Sequence, residues 1–191
     1  MLLNASKISC GYEKTKIVKN CDIYLKKGQI ASIVGPNGAG KSTAMKAIFG
    51  LLPLFEGKVF FNNEEISNLK PQERVLKGMS FVPQTNNIFP SMTVEENLEM
   101  GGFIRKNGIK KTIQQVYELF PVLNEKKLQM AENLSGGQRQ QLAFGRALMT
   151  NPIFLMLDEP SAGVSPIIMD ELFKKVQEIS KKGVSILMVE Q

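Results

Sequence analysis

The sequence contains no histidine and no tryptophan. Without histidine the protein has no imidazole base, no histidine metal ligand and no histidine switch near neutral pH. Only two cysteines occur, Cys10 and Cys21. They form no Cys-x-x-Cys pair, so a zinc site is excluded, and their apolar, strand-like surroundings predict buried, reduced thiols. No apolar run reaches about 18 residues, so no membrane-spanning helix is expected. The first residues, MLLNASKISCGYEK, lack a basic region followed by a long apolar one; a secretory signal is not expected and a cytosolic location is the default. Internal repeats and low-complexity tracts are also missing.

What is present is an ordinary globular balance. Of 191 residues, 43% are hydrophobic and 22% charged, enough to bury a substantial core in one domain with a modest subdomain. The net charge of +6 is spread over lysine doublets along the chain. These read as solvated helix ends and turns, and a dedicated nucleic-acid surface is not expected.

The hydrophobic pattern alternates between strands and helices. LLNASKISC and CDIYLKKG have strand-like spacing, and the second alternates as an antiparallel edge does, with Ile23 and Leu25 on one face. IASIVG is a nearly continuous apolar run, expected to be buried on both faces. A helix is expected from Lys41 to Leu52, stopped by Pro53. KVFFNNEEI and MSFVPQ read as strands, with a short polar helix opened by Pro71 between them. Thr93 and Glu96 fit a capping box at the start of a helical region reaching about Lys106, which Gly101 and Gly102 interrupt or kink. Further helices are expected over 110–120, 136–150 and from Ser165–Pro166 onward, the last with Ser165 as cap. IFLMLDEP is a buried strand, and VSILMVEQ begins a last one. The fold class is therefore α/β with a mainly parallel sheet, an antiparallel N-terminal β part and an inserted helical subdomain. We divide the chain into 1–92, the first part of the core; 93–150, the helical subdomain with its following helix; and 151–191, the remainder of the core.

The run GPNGAGKST, from Gly35 through Asn37, Gly38, Ala39, Gly40, Lys41 and Ser42 to Thr43, carries the first chemistry. It fits GxxxxGK[ST] between a strand and a helix, the pattern of a P-loop NTPase. Its glycines let the backbone curve until successive N–H groups converge on phosphate at a helix N-terminus. Lys41 can reach the β- and γ-phosphates, and Ser42 can ligate magnesium. FLMLDEP then places Asp158 at the end of a buried strand, where a metal-binding carboxylate is expected. Glu159, facing differently, can polarise a water. LSGGQ, Leu134 to Gln138, is a serine and two glycines opening a helix, a second place where anions meet backbone N–H groups.

Over essentially its whole length the sequence resembles the nucleotide-binding subunits of ATP-binding-cassette (ABC) transporters. Tyr12, GPNGAGKST, Gln84, LSGGQ, FLMLDEP and SAG occur in the family's order. The resemblance implies an ATPase that uses ATP and Mg2+ and works as a homodimer or as a heterodimer with a related ATPase subunit. Tyr12 would stack on adenine, a contact that does not distinguish purines. Ser42, Gln84 and Asp158 would hold magnesium. Glu159 would prepare the attacking water, with Lys41, Gln84 and Gln191 completing the catalytic set. Ser135, Gly136, Gly137 and Gln138 would meet a nucleotide held by the other subunit, and Ser161 to Gly163 would cross the interface.

FPSMTVEENL, the glycines after it, FGRALMTNPIFLMLDEPSAGVSP and MVEQ are most similar to the branched-chain amino acid importer ATPases. Gln191 stands where many members have histidine. Its amide can donate hydrogen bonds to oxygen but cannot titrate, so it could serve only as a sensor. The resemblance further implies transmembrane permease subunits, and through them a substrate-binding protein, with this chain peripheral on the inner face of the membrane. Phe89, Met92 and the region 93–103 are the candidates for docking a permease helix. Family members continue for several tens of residues beyond this point, so the chain is expected to be a truncated domain. Nothing in it names the cargo or the direction of transport. An export system or a non-transport ABC ATPase would use the same residues.

Overall fold

The structure is a computed structural model; it describes residues 1–85 and 87–191. Its N-terminal part is an antiparallel sheet with strand order β2-β1-β4-β5, built from β1 (Leu3–Tyr12), β2 (Thr15–Leu25), β4 (Leu54–Phe61) and β5 (Glu64–Glu65). The segment GYEKTK is a tight connection: β1 and β2 are so close across it that Tyr12 pairs with Thr15. The second sheet is parallel, with order β3-β8-β7-β6. Its strands are β3 (Ile30–Val34), β6 (Met79–Val82), β7 (Phe154–Asp158) and β8 (Ser185–Glu190). The β7 strand lies between two partners, and all five of its residues are buried. An uninterrupted apolar run is what such a position demands.

The β3 strand corrects the expectation of burial on both faces. Among the described residues it lies at the end of the strand order and pairs with β8 alone. Ala31 and Ile33 pack against the core, while Ile30 and Val34 are 41% and 68% exposed. An apolar run reads the same at a sheet's edge as in its middle, because sheet order is set by distant segments.

Seven helices are described: α1 (Lys41–Phe49), α2 (Pro71–Leu76), α3 (Val94–Gly101), α4 (Ile109–Leu119), α5 (Pro121–Glu125), α6 (Gly136–Leu148) and α7 (Pro166–Lys181). The expected capping box on α3 forms, with Glu96 N–H donating to Thr93 Oγ1 and Thr93 N–H to Glu96 Oε2. Ser165 stands at the N-cap of α7 without a side-chain cap bond, so only its position matches the expectation. The α1 helix ends at Gly50, three residues before Pro53, because Gly50 takes the left-handed backbone (φ 87) that closes a helix.

Two main cores result. One joins the antiparallel sheet, α1 and one face of the parallel sheet, with Met45, Ile48, Phe61, Phe154 and Leu187 among its buried residues. The other joins the opposite face to helices α3 to α7, through Leu98, Val116, Phe120, Phe144, Leu155 and Val176. No helix among the described residues is long and apolar enough to cross a membrane.

Candidate functional site

The parallel sheet ends its strands on one side, and the chemistry collects there. The β3 strand runs into the loop Gly35–Gly40, and α1 starts at Lys41. Gly38 and Gly40 both have left-handed backbones, φ 81 and 88. A Cβ on Gly40 would come within 2.9 Å of Val18 Cγ2, whereas one on Gly38 would meet nothing. The loop is therefore clamped from below at Gly40 and open above at Gly38, where phosphate oxygens can approach. The first-turn N–H groups of a helix lack intrahelical partners, and the first α1 residues, Lys41 to Thr43, line the same opening. Lys41 is buried; its Nζ donates to the carbonyls of Gly35 (2.6 Å) and Pro36 (3.0 Å), so the lysine rests on its own loop.

A cavity of about 260 Å3 lies over this loop. Its wall includes Gly38 to Thr43, Tyr12 and Ile17 from the antiparallel sheet, and Glu159. Tyr12 is thus placed beside the phosphate loop although it is distant in sequence. Ile17 was missed by sequence reasoning; in the strand β2 it carries no signal beyond strand alternation.

Asp158 closes the buried end of β7 and is 3% exposed. Ser42 Oγ donates to its Oδ1 at 2.5 Å. Burial pushes the Asp158 carboxyl above its ordinary value, against the Ser42 hydrogen bond and the Lys46 charge, which pull it down. The next residue faces elsewhere. Glu159 takes a left-handed backbone (φ 48), and its N–H donates to the Val189 carbonyl at 3.1 Å. Such a backbone is rare and strained for a residue with a Cβ. It turns the Glu159 side chain toward two amides: Gln84 Nε2 donates to Oε2 at 2.7 Å, and Gln191 Nε2 donates to the same oxygen at 3.1 Å. Gln84 keeps its carbonyl oxygen free of that contact. A hydroxyl, a carboxylate and an amide oxygen are hard donors of the kind that suits magnesium, so the Ser42, Asp158 and Gln84 set fits that ion.

The LSGGQ residues lie elsewhere. Ser135 is the N-cap of α6 and accepts from Gln138 N–H at 3.3 Å, while Gln138 Oε1 accepts from Ser135 N–H at 3.0 Å. This capping box was not anticipated, although Ser-x-x-Gln is its pattern. None of Ser135, Gly136, Gly137 and Gln138 lines the cavity over the phosphate loop. A separate cavity of about 360 Å3 between α4, α6 and α7 holds no motif residue.

A parallel sheet feeding a glycine loop into a helix, with a carboxylate pair at the end of another of its strands, defines a nucleoside triphosphate hydrolase of the P-loop class. The chain belongs to the ABC transporter family, whose pattern its residues 18–162 match. It is 39% identical to the high-affinity branched-chain amino acid transport ATP-binding protein BraG of Pseudomonas aeruginosa, across 100% of this chain and 82% of that one. It is 32% identical to the lipopolysaccharide export system ATP-binding protein LptB of Haemophilus influenzae, across 99% and 80%. A solved ATP-binding cassette of an ABC transporter superposes on it with a TM-score of 0.91 at 33% identity, covering 100% of this chain and 81% of that one. The protein is an ABC ATPase subunit of a transporter, and its reaction is the hydrolysis of ATP.

Proposed function

We propose that this protein powers an importer of branched-chain-type amino acids, working as one of two ATPase subunits beneath membrane permeases. The observation that carries the catalytic reading is the meeting of Gln84 and Gln191 on one oxygen of Glu159, one residue from the Asp158–Ser42 pair. Tyr12 stacks on the adenine. The loop from Gly35 through Asn37, Gly38, Ala39 and Gly40 to Thr43 cradles the phosphates, and Lys41 swings to them from the Gly35 and Pro36 carbonyls. Ser42, Asp158 and Gln84 would hold magnesium, which would supply charge neutralisation at the phosphates. Glu159 orients and deprotonates the attacking water, and Gln191 offers its amide donor to the γ-phosphate. Ser135, Gly136, Gly137 and Gln138 complete the site of a second copy or a related subunit. We retain the division into 1–92, 93–150 and 151–191 as the core, the helical subdomain and the closing part of the core.

Docking to a permease has support beside Gln84. A cavity of about 310 Å3 there is lined in part by Pro83, Met100 and Arg146. Phe89, Met100 and Phe103 are exposed, and the Arg146 guanidinium lies 4.2 Å from the Phe89 ring centre. Apolar side chains grouped around a groove suit a partner helix. The permeases would hold the protein at the inner face of the membrane, with a substrate-binding protein acting through them. The relation to BraG and the wording of FPSMTVEENL and MVEQ favour amino acid import; the relation to LptB supports lipopolysaccharide export as the second reading.

Two measurements test this. Glu159→Gln is expected to keep ATP binding and lower turnover on the order of a hundredfold or more, the usual worth of a positioned base. Gln191→Ala should cost less. Turnover within a few-fold of wild type in Glu159→Gln would remove Glu159 from the role of base. Copurification with the permeases, then ATPase assays with leucine or lipopolysaccharide, decides between the cargoes.

A further inference from the structure

From Met100 to Tyr117 the chain carries no aspartate or glutamate, but it carries Arg105, Lys106, Lys110 and Lys111. The turn between α3 and α4 opens this stretch and holds Phe103 and Ile104 out in solvent, 80% and 43% exposed. Met100, near the end of α3, is exposed beside them. Met100 and Gly101 line the cavity beside Gln84, whereas Phe103 and Ile104 do not. A lone apolar side chain on a surface needs no explanation; an aromatic and two aliphatic ones grouped next to cations do.

The turn is fastened in this shape. Gly101 packs so closely on α6 that a Cβ would fall 2.5 Å from the Arg146 carbonyl oxygen. Phe103 N–H donates to the Met100 carbonyl at 3.3 Å, and Arg105 N–H to the Gly102 carbonyl at 2.9 Å. Arg105 Nη1 donates to Thr112 Oγ1 at 2.6 Å and to the Met149 carbonyl at 3.1 Å. Arg105 thus braces the turn against α4 and the end of α6, and Phe103 stays outside. The other three cations brace nothing. Lys106, Lys110 and Lys111 are exposed and form no ion pair among the described residues. Helix stability does not account for Lys110 and Lys111 either. They sit in the first turn of α4, which has no acidic residue, and cations there oppose the helix dipole.

We propose that the turn between α3 and α4 is a membrane-contact surface, on which Phe103 and Ile104 enter the headgroup layer and Lys106, Lys110 and Lys111 meet anionic lipid. Charge and chemistry select this partner. Apolar side chains gain burial at the boundary between headgroups and acyl chains, and lysines beside them are attracted to the negative surface. A nucleic-acid duplex would engage the lysines but leave Phe103 and Ile104 in water. The turn adjoins the groove assigned above to a permease helix, and its facing the bilayer rests on that reading. A weak apolar anchor or a few lysines alone bind marginally, while the two together attach a protein reversibly. Lipid then helps to hold this chain at the membrane in addition to the permeases.

The test uses the whole chain and vesicles without permease. One set of vesicles is phosphatidylcholine alone; the other is equal parts phosphatidylcholine and phosphatidylglycerol. The protein should float with the second set and not the first, and salt should release it, because surface charges are screened. Each lysine near an anionic surface strengthens binding about fivefold. A variant combining Lys106→Ala, Lys110→Ala and Lys111→Ala should therefore bind these vesicles on the order of a hundredfold more weakly, with its ATP turnover in solution unchanged. The absence of tryptophan makes Phe103→Trp a clean reporter. With phosphatidylglycerol present its emission should shift to the blue and be quenched by brominated lipid. Tyr24→Trp, at an exposed position on β2, should show neither change. No flotation, equal flotation with both vesicles, undiminished binding by the triple variant, or an unquenched Phe103→Trp would each overturn the proposal. Lysine-dependent binding of duplex DNA without vesicle binding would make the patch a nucleic-acid surface and overturn it too. Failure of vesicle binding leaves the permease reading standing, since no permease is present. Failure to copurify with permeases, with vesicle binding intact, removes that reading and keeps the lipid contact.

Discussion

Cys10 lies under the first turn of α1, its Sγ donating to the Thr43 carbonyl at 3.8 Å. Burial, and next the neighbouring Cys21, push its thiol from the ordinary 9.0 up to about 11. A group whose folded value is raised favours the folded state fully below its unfolded value. That contribution is lost as the pH climbs through the folded one. The stability Cys10 contributes should therefore hold below about pH 9 and decline toward about pH 11. At pH 8 a thiol reagent should modify the half-buried Cys21 first and reach Cys10 only at the rate of unfolding. Equal, rapid labelling of both would contradict this placement. The sequence showed two apolar thiols without a partner motif, and both are free; it could not rank them, because their burial depends on α1 packing over β1. The same holds at Glu159. The acid pair was legible as a pattern, but the left-handed backbone that parts Asp158 from Glu159 has no signature in residue types.

Helix α1 shows how an element's end can be set from outside. Arg74 of α2 is 1% exposed and donates to the carbonyls of Ala47 (3.2 Å) and Ile48 (2.5 Å) at the end of α1. It also donates to Leu69 and Ser67, both at 3.0 Å. Gly50 leaves room for it: a Cβ there would come within 2.9 Å of Arg74 Nε. Burial lowers the Arg74 pKa to about 10, still charged at neutral pH. Arg74→Leu should destabilise the protein by about 3 kcal/mol, since several buried carbonyls lose their donor at once. Denaturant unfolding measures this, and a loss below about 0.5 kcal/mol, the level of an ordinary surface change, would mean that water replaces the guanidinium without penalty. Sequence reading stopped α1 at Pro53 because proline is the local signal. A glycine cleared for an arginine from another helix is a tertiary signal. Buried β7, by contrast, was legible whole: FLMLD is apolar until its functional end.

At the scale of the whole molecule, the order of motifs was legible and their spatial grouping only in part. Tyr12, the phosphate loop, Gln84, Asp158, Glu159 and Gln191 converge at one end of the parallel sheet, whereas Ser135 to Gln138 line no part of that cavity. The proposal that Ser135 to Gln138 complete a partner's site leads to a complementation experiment. Lys41→Ala spoils the cradle of its own chain, and Ser135→Arg spoils what that chain offers its partner. Each alone should be nearly inactive. Mixed in equal amounts, they form heterodimers with one site damaged twice and one intact, and turnover should return to about a quarter of wild type, as random pairing in a two-fold dimer allows. No return, together with failure to crosslink Ser135 of one copy to the loop at Gly38 of another, would refute the shared site. The resting place of Lys41 adds a matter of timing. With its Nζ bonded to the Gly35 and Pro36 carbonyls, the lysine must give up two acceptors to reach a phosphate. Arrival is then expected in two beats, a loose encounter at the open Gly38 side and a pivot of the lysine from carbonyls to phosphates. At high ATP the loading rate should therefore level off at the rate of the pivot, and a rate that stays linear in ATP would contradict this order.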